Sequence, residues 1–501
     1  MMNVPLPSSA AQLPPPVQLT QREIHAILFG VVLAMLLAAL DQTIVATALA
    51  TIGKDLGDVE HLPWVVTIYL LSSTVVTPLY GKASDIWGRR LAMLVAIATF
   101  VAGSVACALA PSIYALIVAR ALQGLGGGGL ISLAQTILGD ILPPRERSRY
   151  QAHVASVFAL SSLVGPVLGG LISQHLHWSV IFWINLPLGG LAFWMANSLL
   201  RRLPRHERPH KLDFAGAGLL VAATVSLLLA LSWGGTRYAW ISPEVFGTFA
   251  VSAALWGLFA LRQRRAAEPL IPTEVLANRV VMFGTLAACF GMGTFVGLSI
   301  YAPLYFELVM HLSASDSGVA LIPLMIGTVA GATISGRFMM YVRRYKRVAL
   351  VGLSLGILAQ LALAVWPSGL PFWQVEVLLA ASSMGLGTLL PVSTISIQNA
   401  VKVHQLGTAT ATMNFFRQLG AAVIVAVFGA ILLGGSALVG VPVSSLETFS
   451  SPAAGGDLAP VFRWIFAAAA LGLAIALTFL AFMEERPLRT TVADPVTPKA
   501  T

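Results

Sequence analysis

The sequence predicts an all-α integral membrane protein with fourteen transmembrane helices, arranged as two six-helix halves with two additional helices between them. Three observations support this prediction: the composition, the number of long apolar runs, and the loops in which the positive residues fall. Of the 501 residues, 57% are hydrophobic and only 10% are charged. Soluble domains carry about 25% charged residues, so this chain has too few charges to cover a water-exposed surface of its size.

Fourteen apolar runs are long enough to cross a bilayer, because a hydrocarbon core of about 30 Å takes about 20 residues of helix. They lack the short apolar–polar alternation of membrane β-strands, which favours helices. The predicted spans are 24–50, 62–80, 91–110, 113–133, 152–173, 178–199, 213–232, 245–262, 280–303, 316–337, 346–366, 372–392, 411–434 and 461–483.

The positive residues test this count. Loops after odd-numbered spans hold almost none, with Lys54, Arg237 and Arg463 as the exceptions. Loops after even-numbered spans hold many more: Lys82, Arg89, Arg90, Arg145, Arg147, Arg149, Arg201, Arg202, Arg205, Arg208, Lys211, Arg262, Arg264, Arg265, Arg279, Arg343, Arg344, Lys346 and Arg347. The positive-inside rule then places both termini in the cytoplasm and the chain in the cell membrane. The same placement accounts for the net charge of +9 without a nucleic-acid partner.

The predicted domain organisation follows from these spans. It consists of a cytoplasmic tail (1–23), an N-terminal six-helix bundle (24–199), two additional helices with linkers (200–279), a C-terminal six-helix bundle (280–483) and a second cytoplasmic tail (484–501). The segment 436–460 is rich in Gly, Ser, Pro and Ala and is predicted to be a flexible outer loop.

The ten residues Gly81–Arg90 (GKASDIWGRR) separate two apolar runs and predict a tight cytoplasmic hairpin. A weaker copy, Gly336–Arg344, follows at an offset of 255 residues, with Met340 at the position of Asp85. Two six-helix halves related by an internal repeat are typical of transporters. Because the copy lacks the acid, the electrostatic role of Asp85 is predicted to exist in one half only.

Several motifs resemble those of the major facilitator superfamily, and more narrowly of its fourteen-helix drug:proton antiporters. They are Leu40–Leu49 (LDQTIVATAL), the Gly81–Arg90 segment, Arg120–Gly126 (RALQGLG), Ser161–Gly170 (SSLVGPVLGG), Tyr301–Tyr305 (YAPLY) and Arg417–Gly420 (RQLG). The resemblance covers about residues 24–483 and implies the major facilitator fold.

The resemblance also implies roles for particular residues. A conformational latch would involve Gly81, Asp85, Gly88, Arg89 and Arg90, with Asp85 capping the positive N-terminus of span thirteen near Gln405–Thr412. The antiporter motif would comprise Gly165, Pro166, Gly169 and Gly170. The glycine spacing of four also suits ordinary close helix packing, and Pro166 removes a backbone hydrogen bond.

Asp41 and Arg120 are ionisable residues inside predicted spans, where charges are costly and usually functional. Desolvation disfavours a carboxylate, so Asp41 is a candidate proton-coupling acid facing the central cavity. The alternative is a structural acid bonded to a neighbouring helix. Arg120 either pairs with Asp41 and tunes proton release, or is a structural base.

A set of further residues is predicted to line the substrate cavity, although aromatic residues in such spans more often pack or lie at the membrane interface. The set is Gln123, Tyr301, Tyr305, Glu307 and Arg417. No acid close in sequence pairs with Arg417.

The predicted function is that of a proton-coupled antiporter exporting lipophilic compounds, cationic ones among them. Its partners would be a small-molecule substrate, protons and lipid, and its energy source the proton gradient with no cofactor. A monomer is expected, and an adaptor protein on the outer side is compatible but not required.

The alternative is an exporter of an endogenous metabolite or a siderophore-like compound. An enzyme or ATP-driven pump is disfavoured because the sequence contains no metal-ligand spacing and no phosphate-binding Gly-Lys-Ser/Thr loop, and a channel because the repeat favours alternating access.

Overall fold

The computed structural model describes residues 20–57, 61–202, 212–235, 237–438 and 458–491. Several sequence predictions therefore lie outside the described residues. These are most of the N-terminal tail, the bases Arg205, Arg208 and Lys211, the greater part of the outer loop 436–460 and the end of the C-terminal tail.

The described residues contain fourteen helices that are long and apolar enough to cross a membrane, which confirms the predicted number. We label them α1 (Gln21–Leu56), α2 (Leu62–Trp87), α3 (Arg89–Ala108), α4 (Ile113–Ile141), α5 (Pro144–His175), α6 (Val180–Leu199), α7 (Phe214–Trp233), α8 (Pro243–Arg265), α9 (Arg279–Leu308), α10 (Ile322–Tyr341), α11 (Lys346–Val365), α12 (Phe372–Ala400), α13 (Leu406–Leu438) and α14 (Ala459–Phe482).

Two of the predicted spans contain a break in the helix. α6 is interrupted at Ile184, and a short helix, Ala314–Val319, precedes α10. α5 instead runs through Pro166 as one continuous helix. It can do so because a membrane helix surrounded by other helices tolerates one missing backbone donor.

Helices α1–α6 and α9–α14 form two bundles with separate apolar cores. The first bundle is built around residues such as Phe100 and Leu133, and the second around residues such as Phe306 and Phe466. Contacts of α2 with α13 and of α5 with α10 join the bundles. The additional pair α7–α8 covers the α2–α13 side, where Leu220 and Phe259 pack against Phe415.

One end of the molecule collects the positive residues of the loops α2–α3, α4–α5 and α10–α11. We call it the basic end and define it by Arg89, Arg90, Arg145, Arg343 and Arg344. Contacts between these loops, such as the hydrogen bond from Arg145 Nε to the carbonyl oxygen of Met340, place them side by side.

The charged segment Gly81–Arg90 differs from the predicted hairpin. Helix α2 continues through Trp87, α3 begins at Arg89, and only Gly88 is non-helical. Gly88 has φ of 90°, a region that residues with a Cβ rarely adopt. The reversal is therefore made by one glycine, and the charges lie on helical turns.

Replacing Gly88 with Ala is expected to destabilise the protein by about 1–2 kcal/mol, because the left-handed conformation then carries a Cβ penalty. Thermal unfolding of the purified protein in detergent measures this. Gly218→Ala in α7 is the control, since an added Cβ there meets nothing within 4 Å and alanine favours helix. Equal losses in both variants would contradict the role of the Gly88 backbone.

Candidate functional site

Asp41 and Arg120 form an ion pair inside the first bundle. Nη1 of Arg120 lies 2.6 Å from Oδ2 of Asp41, and each residue is 1% exposed. The guanidinium also donates from Nε to the carbonyl oxygen of Val65 on α2 and lies 4.2 Å from the centre of the Tyr69 ring. The pair therefore ties α1, α2 and α4 together.

Neutral polar residues complete the shell around Asp41. Its Oδ1 accepts hydrogen bonds from Nε2 of Gln123 at 2.8 Å and from Nδ2 of Asn185 at 3.0 Å. Both amides also donate to Oγ of Ser104. Each of the three hydrogen bonds to the Asp41 carboxylate comes from a nitrogen donor.

The predicted antiporter motif packs directly beside this pair. A Cβ added to Gly165 or Gly169 would collide with Thr43 or Thr47 of α1, whereas one added to Gly170 would meet nothing within 4 Å. Oγ1 of Thr43 donates to the carbonyl oxygen of Ser161 at 2.8 Å. The two glycines thus bring α5 against the turn of α1 that carries Asp41.

The structure differs from the expectation that Asp41 faces an open cavity. In this conformation, its carboxylate is enclosed by α1, α3, α4 and α6. Sequence reasoning identified Asp41, Arg120 and Gln123, but Ser104 and Asn185 were missed, since neutral polar residues in a span carry no distinct pattern. Gln123 is fully buried in this network and does not line a cavity.

A second charged site lies at the basic end, where Asp85 contacts the first turn of α13. Its Oδ1 accepts the backbone N–H of Gly407 at 3.1 Å, and its Oδ2 accepts the N–H and hydroxyl of Thr408 at 2.7 and 2.6 Å. An acid at a helix N-terminus binds free N–H groups and interacts favourably with the helix dipole. The contact between Asp85 and the start of span thirteen is the one that the sequence analysis predicts.

The two arginines after Gly88 have different partners. Arg89 pairs with Asp85 and also, through Nε at 2.7 Å, with Asp140 at the end of α4. Arg90 instead bonds to Asn197 of α6 and so stays within the first bundle. Sequence reasoning did not find Asp140, because it is far along the chain from the motif.

Gly81 and Gly336, which the repeat relates, occupy matching positions between the bundles. A Cβ at Gly81 would lie 2.7 Å from the carbonyl oxygen of Gly407 in α13, and one at Gly336 would collide with the carbonyl oxygen of Ser148 in α5. Each glycine therefore lets a helix of one bundle contact a helix of the other backbone to backbone.

Four polar residues form another link between the bundles, which sequence reasoning missed. Gln398 of α12 accepts from buried Arg147 and donates to the carbonyl oxygen of Gln135, whose side chain accepts from Asn414 of α13. Arg147 had been counted only as a loop base. Its position at the start of α5 turns its guanidinium inward, where it also bonds two carbonyl oxygens at the end of α4.

The hydrogen bonds that join the two bundles in the described part of the chain lie at the basic end or near mid-membrane. One further hydrogen bond crosses between the bundles in the described residues, from Thr74 to Gln418 at 2.7 Å. The others are the bonds of Asp85, Arg145, Gln135 and Gln398 given above. The structure therefore has its basic end closed.

The remaining predicted cavity residues have mixed positions. Tyr305 is 1% exposed, donates to the carbonyl oxygen of Pro367 and packs against Phe462 and Phe466, so it belongs to the apolar core of the second bundle. Tyr301 is partly buried and packs against Phe428. Glu307 is partly buried near the end of α9.

Arg417 lies on α13 and is 7% exposed. Its guanidinium donates to oxygens of Asn414, Leu390, Ser393 and Thr394, all of them uncharged.

Two helical bundles of six related by an internal repeat form an architecture that is typical of membrane transporters. A family model of the Major Facilitator Superfamily matches residues 31–425, and the chain belongs to this superfamily. It is 34% identical over 410 residues to Multidrug resistance protein 3 of Bacillus subtilis (strain 168), covering 81% of this chain and 79% of that protein. It is 33% identical over 406 residues to the Multidrug transporter protein MdtP of the same organism, covering 80% and 74%. The predicted likeness to multidrug efflux transporters is confirmed.

Solved structures support the fold. The human organic anion transporter MFSD10 (TETRAN) matches with a TM-score of 0.61 and 17% identity, over 91% of this chain and 100% of that chain. The proton:xylose symporter XylE matches with a TM-score of 0.62 and 14% identity, over 93% and 97%. At these identities the matches show the major facilitator fold alone.

Replacing Asp41 with Asn is expected to destabilise the protein by about 3–5 kcal/mol, because it leaves the Arg120 charge buried without its counter-charge. Thermal unfolding in detergent measures the loss. The double variant Asp41→Asn/Arg120→Gln is expected to lose less than the sum of the two single variants, since it removes both charges. Strictly additive losses would show that the two charges are not coupled.

Replacing Asp85 with Asn is expected to populate an open basic end at least about tenfold more often, because charge-assisted hydrogen bonds to α13 are lost. Distances between spin labels at two exposed positions of this end, Trp87 and Lys402, report the opening when buried Cys107 and partly buried Cys289 are replaced. Arg90→Gln is the matched control from the same segment, since its bonds stay in one bundle. Equal opening in both variants would contradict the role of Asp85.

Proposed function

We propose that this chain is a proton-driven antiporter that exports lipophilic small molecules across the cell membrane by alternating access. Membership of the superfamily and the likeness to two transporters named for multidrug resistance or multidrug transport support export of such compounds. The observation that carries the proposal is the buried Asp41–Arg120 pair, because it offers a protonatable group at the centre of a bundle.

The proposed orientation places the basic end and both termini in the cytoplasm. The concentration of Lys and Arg in the loops of this end supports it through the positive-inside rule. With that orientation, the conformation described here is closed to the cytoplasm, as a transporter is when its central site is accessible from outside.

Asp41 is the proposed proton-coupling residue. In this conformation Arg120 and two amides donate hydrogen bonds to its carboxylate. Proton uptake would neutralise Asp41 and remove its attraction for Arg120, whose other bonds are to α2 and to Gln123. In the proposed cycle, loss of this attraction lets α1, α2 and α4 rearrange, and such a rearrangement is what coupling needs.

Asp85 is the proposed latch of the conformation closed at the basic end. Its bonds to Gly407 and Thr408 cross from one bundle to the other, so the basic end opens only when they break. The helices α2 and α4 link this latch to the proton site, because α2 carries both Asp85 and the Val65 carbonyl, and α4 carries both Asp140 and Arg120. The proton gradient is the proposed energy source.

The test uses the full chain in proteoliposomes with an imposed pH gradient and a pH-sensitive dye trapped inside. Adding a lipophilic transported dye is expected to speed the decay of the gradient, and nigericin, which collapses the gradient, is expected to abolish dye accumulation. Asp41→Asn is expected to abolish the coupled proton movement. Glu244→Gln, which removes an exposed acid at the start of α8, is expected to behave like the wild type.

Dye accumulation that survives collapse of the gradient would contradict proton antiport. Proton-coupled accumulation that survives Asp41→Asn would contradict the role of Asp41 while leaving antiport intact.

A further inference from the structure

Arg417 is a buried cation without a carboxylate partner among the described residues. Its Nη2 lies 2.9 Å from Oγ1 of Thr394 and 3.0 Å from Oγ of Ser393, and the bond from Nη1 to Asn414 is long, at 3.4 Å. Its Nε is buried and has no hydrogen-bond partner in the part of the chain that the structure describes. Only dipoles oppose this charge.

The depth of Arg417 makes the unbalanced charge costly. It lies eleven residues after Leu406, the first residue of α13, which corresponds to about 16 Å along the helix axis. That distance is about half of a hydrocarbon core of about 30 Å. A guanidinium at this depth normally pairs with an acid or faces a water-filled cavity.

The described acids nearest to mid-membrane are already engaged or far away. Asp41 pairs with Arg120 in the other bundle, and Asp85 caps α13 at Gly407. Gly407 is ten residues from Arg417, or about 15 Å along the helix. Glu376 on α12 is fourteen residues from Leu390, a residue that Arg417 contacts, or about 21 Å along that helix.

The neighbours of Arg417 place it beside the contact between the two bundles. Asn414, three residues before it on α13, and Gln398, one turn beyond Thr394 on α12, both bond to Gln135 of the opposite bundle. Arg417 and Thr394 each lie about one helical turn farther from the basic end than these two residues. Arg417 therefore lies on the side of this contact that faces away from the basic end, next to Gln418, which bonds to Thr74 of the first bundle.

A planar guanidinium with a free N–H recognises a carboxylate through two parallel hydrogen bonds. We propose that Arg417 binds the carboxylate of the transported molecule, so that lipophilic organic anions are substrates of this transporter. This inference rests on the proposed transport function and names its substrate class. It goes beyond the sequence prediction of lipophilic substrates with cationic ones among them, because the described mid-membrane region holds an uncompensated base and no uncompensated acid.

The test measures binding directly in detergent, without a gradient, using two dyes built on the same xanthene scaffold. Fluorescein carries a carboxylate, and tetramethylrhodamine methyl ester is a cation. The wild type is expected to bind fluorescein, Arg417→Gln to bind it at least about tenfold more weakly, and Arg417→Lys to fall between, because one charged bidentate contact is lost or weakened. Arg463→Gln, which removes an exposed arginine from α14, is the matched control and is expected to bind as the wild type does.

Three results would overturn the inference. The first is equal fluorescein binding by wild type and Arg417→Gln. The second is binding of the rhodamine ester without binding of fluorescein. The third is thermal stabilisation by chloride or phosphate that depends on Arg417, without fluorescein binding, because the site would then hold a free inorganic anion.

Folding is checked by gel filtration and thermal unfolding of each variant, and Arg417→Lys keeps the charge if Arg417→Gln fails to fold. In that case, fluorescein binding by Arg417→Lys equal to wild type would also overturn the inference, since lysine cannot form the bidentate contact.

The proteoliposome assay separates the two proposals. Arg417-dependent fluorescein binding without proton-coupled transport refutes antiport alone, and proton-coupled transport of the rhodamine ester alone refutes the anion site alone.

Discussion

The cost of placing a charge inside the membrane constrains the whole arrangement. An isolated charge in a low-dielectric region is highly unfavourable, so it must be paired, bonded to dipoles or solvated in a cavity. The chain uses pairing for Asp41 and Arg120, which lie 2.6 Å apart within one bundle. It uses a helix terminus for Asp85 at the boundary between bundles. Among the described residues, Arg417 has only uncharged oxygens as hydrogen-bond partners, whereas Asp41 and Asp85 each have an arginine partner.

Both copies of the internal repeat take part in a contact between a polar group and the end of a helix, and the sign of the charge is opposite in the two copies. In the first half, Asp85 at the end of α2 meets the positive N-terminus of α13. In the second half, Met340 replaces the acid, and its carbonyl at the end of α10 accepts from Arg145 at the start of α5. A helix C-terminus is partly negative and favours a cation. The asymmetry visible in the sequence therefore does not leave the second junction without an electrostatic contact.

The sequence predicts features that depend on periodicity, charge or composition. The number of spans follows from apolar length, and the contact between Asp85 and α13 follows from a recognisable motif. The direction of a side chain is harder to predict from the sequence, because a span that is apolar on every face does not show which residues point to a cavity. Tyr305 and Gln123 were expected to line the cavity for this reason, but both are buried within a bundle. Asp140, Gln135 and Gln398 were missed because their roles arise only when distant segments meet.

The shared helices give the two charged sites a physical route for coupling. Arg120 bonds to the backbone of α2 at Val65, and Asp85 lies twenty residues later on the same helix, or about 30 Å away along its axis. The two helices α2 and α4 are packed closely, since Gly124 and Gly128 of α4 contact α2 without space for a Cβ. A tilt of α2 that accompanies release of Arg120 would displace Asp85 from the first turn of α13. Because those bonds are short and directional, a displacement of about an ångström weakens them substantially. The glycines of α4 thus tie the Asp41–Arg120 pair and the Asp85 contact to the same two packed helices.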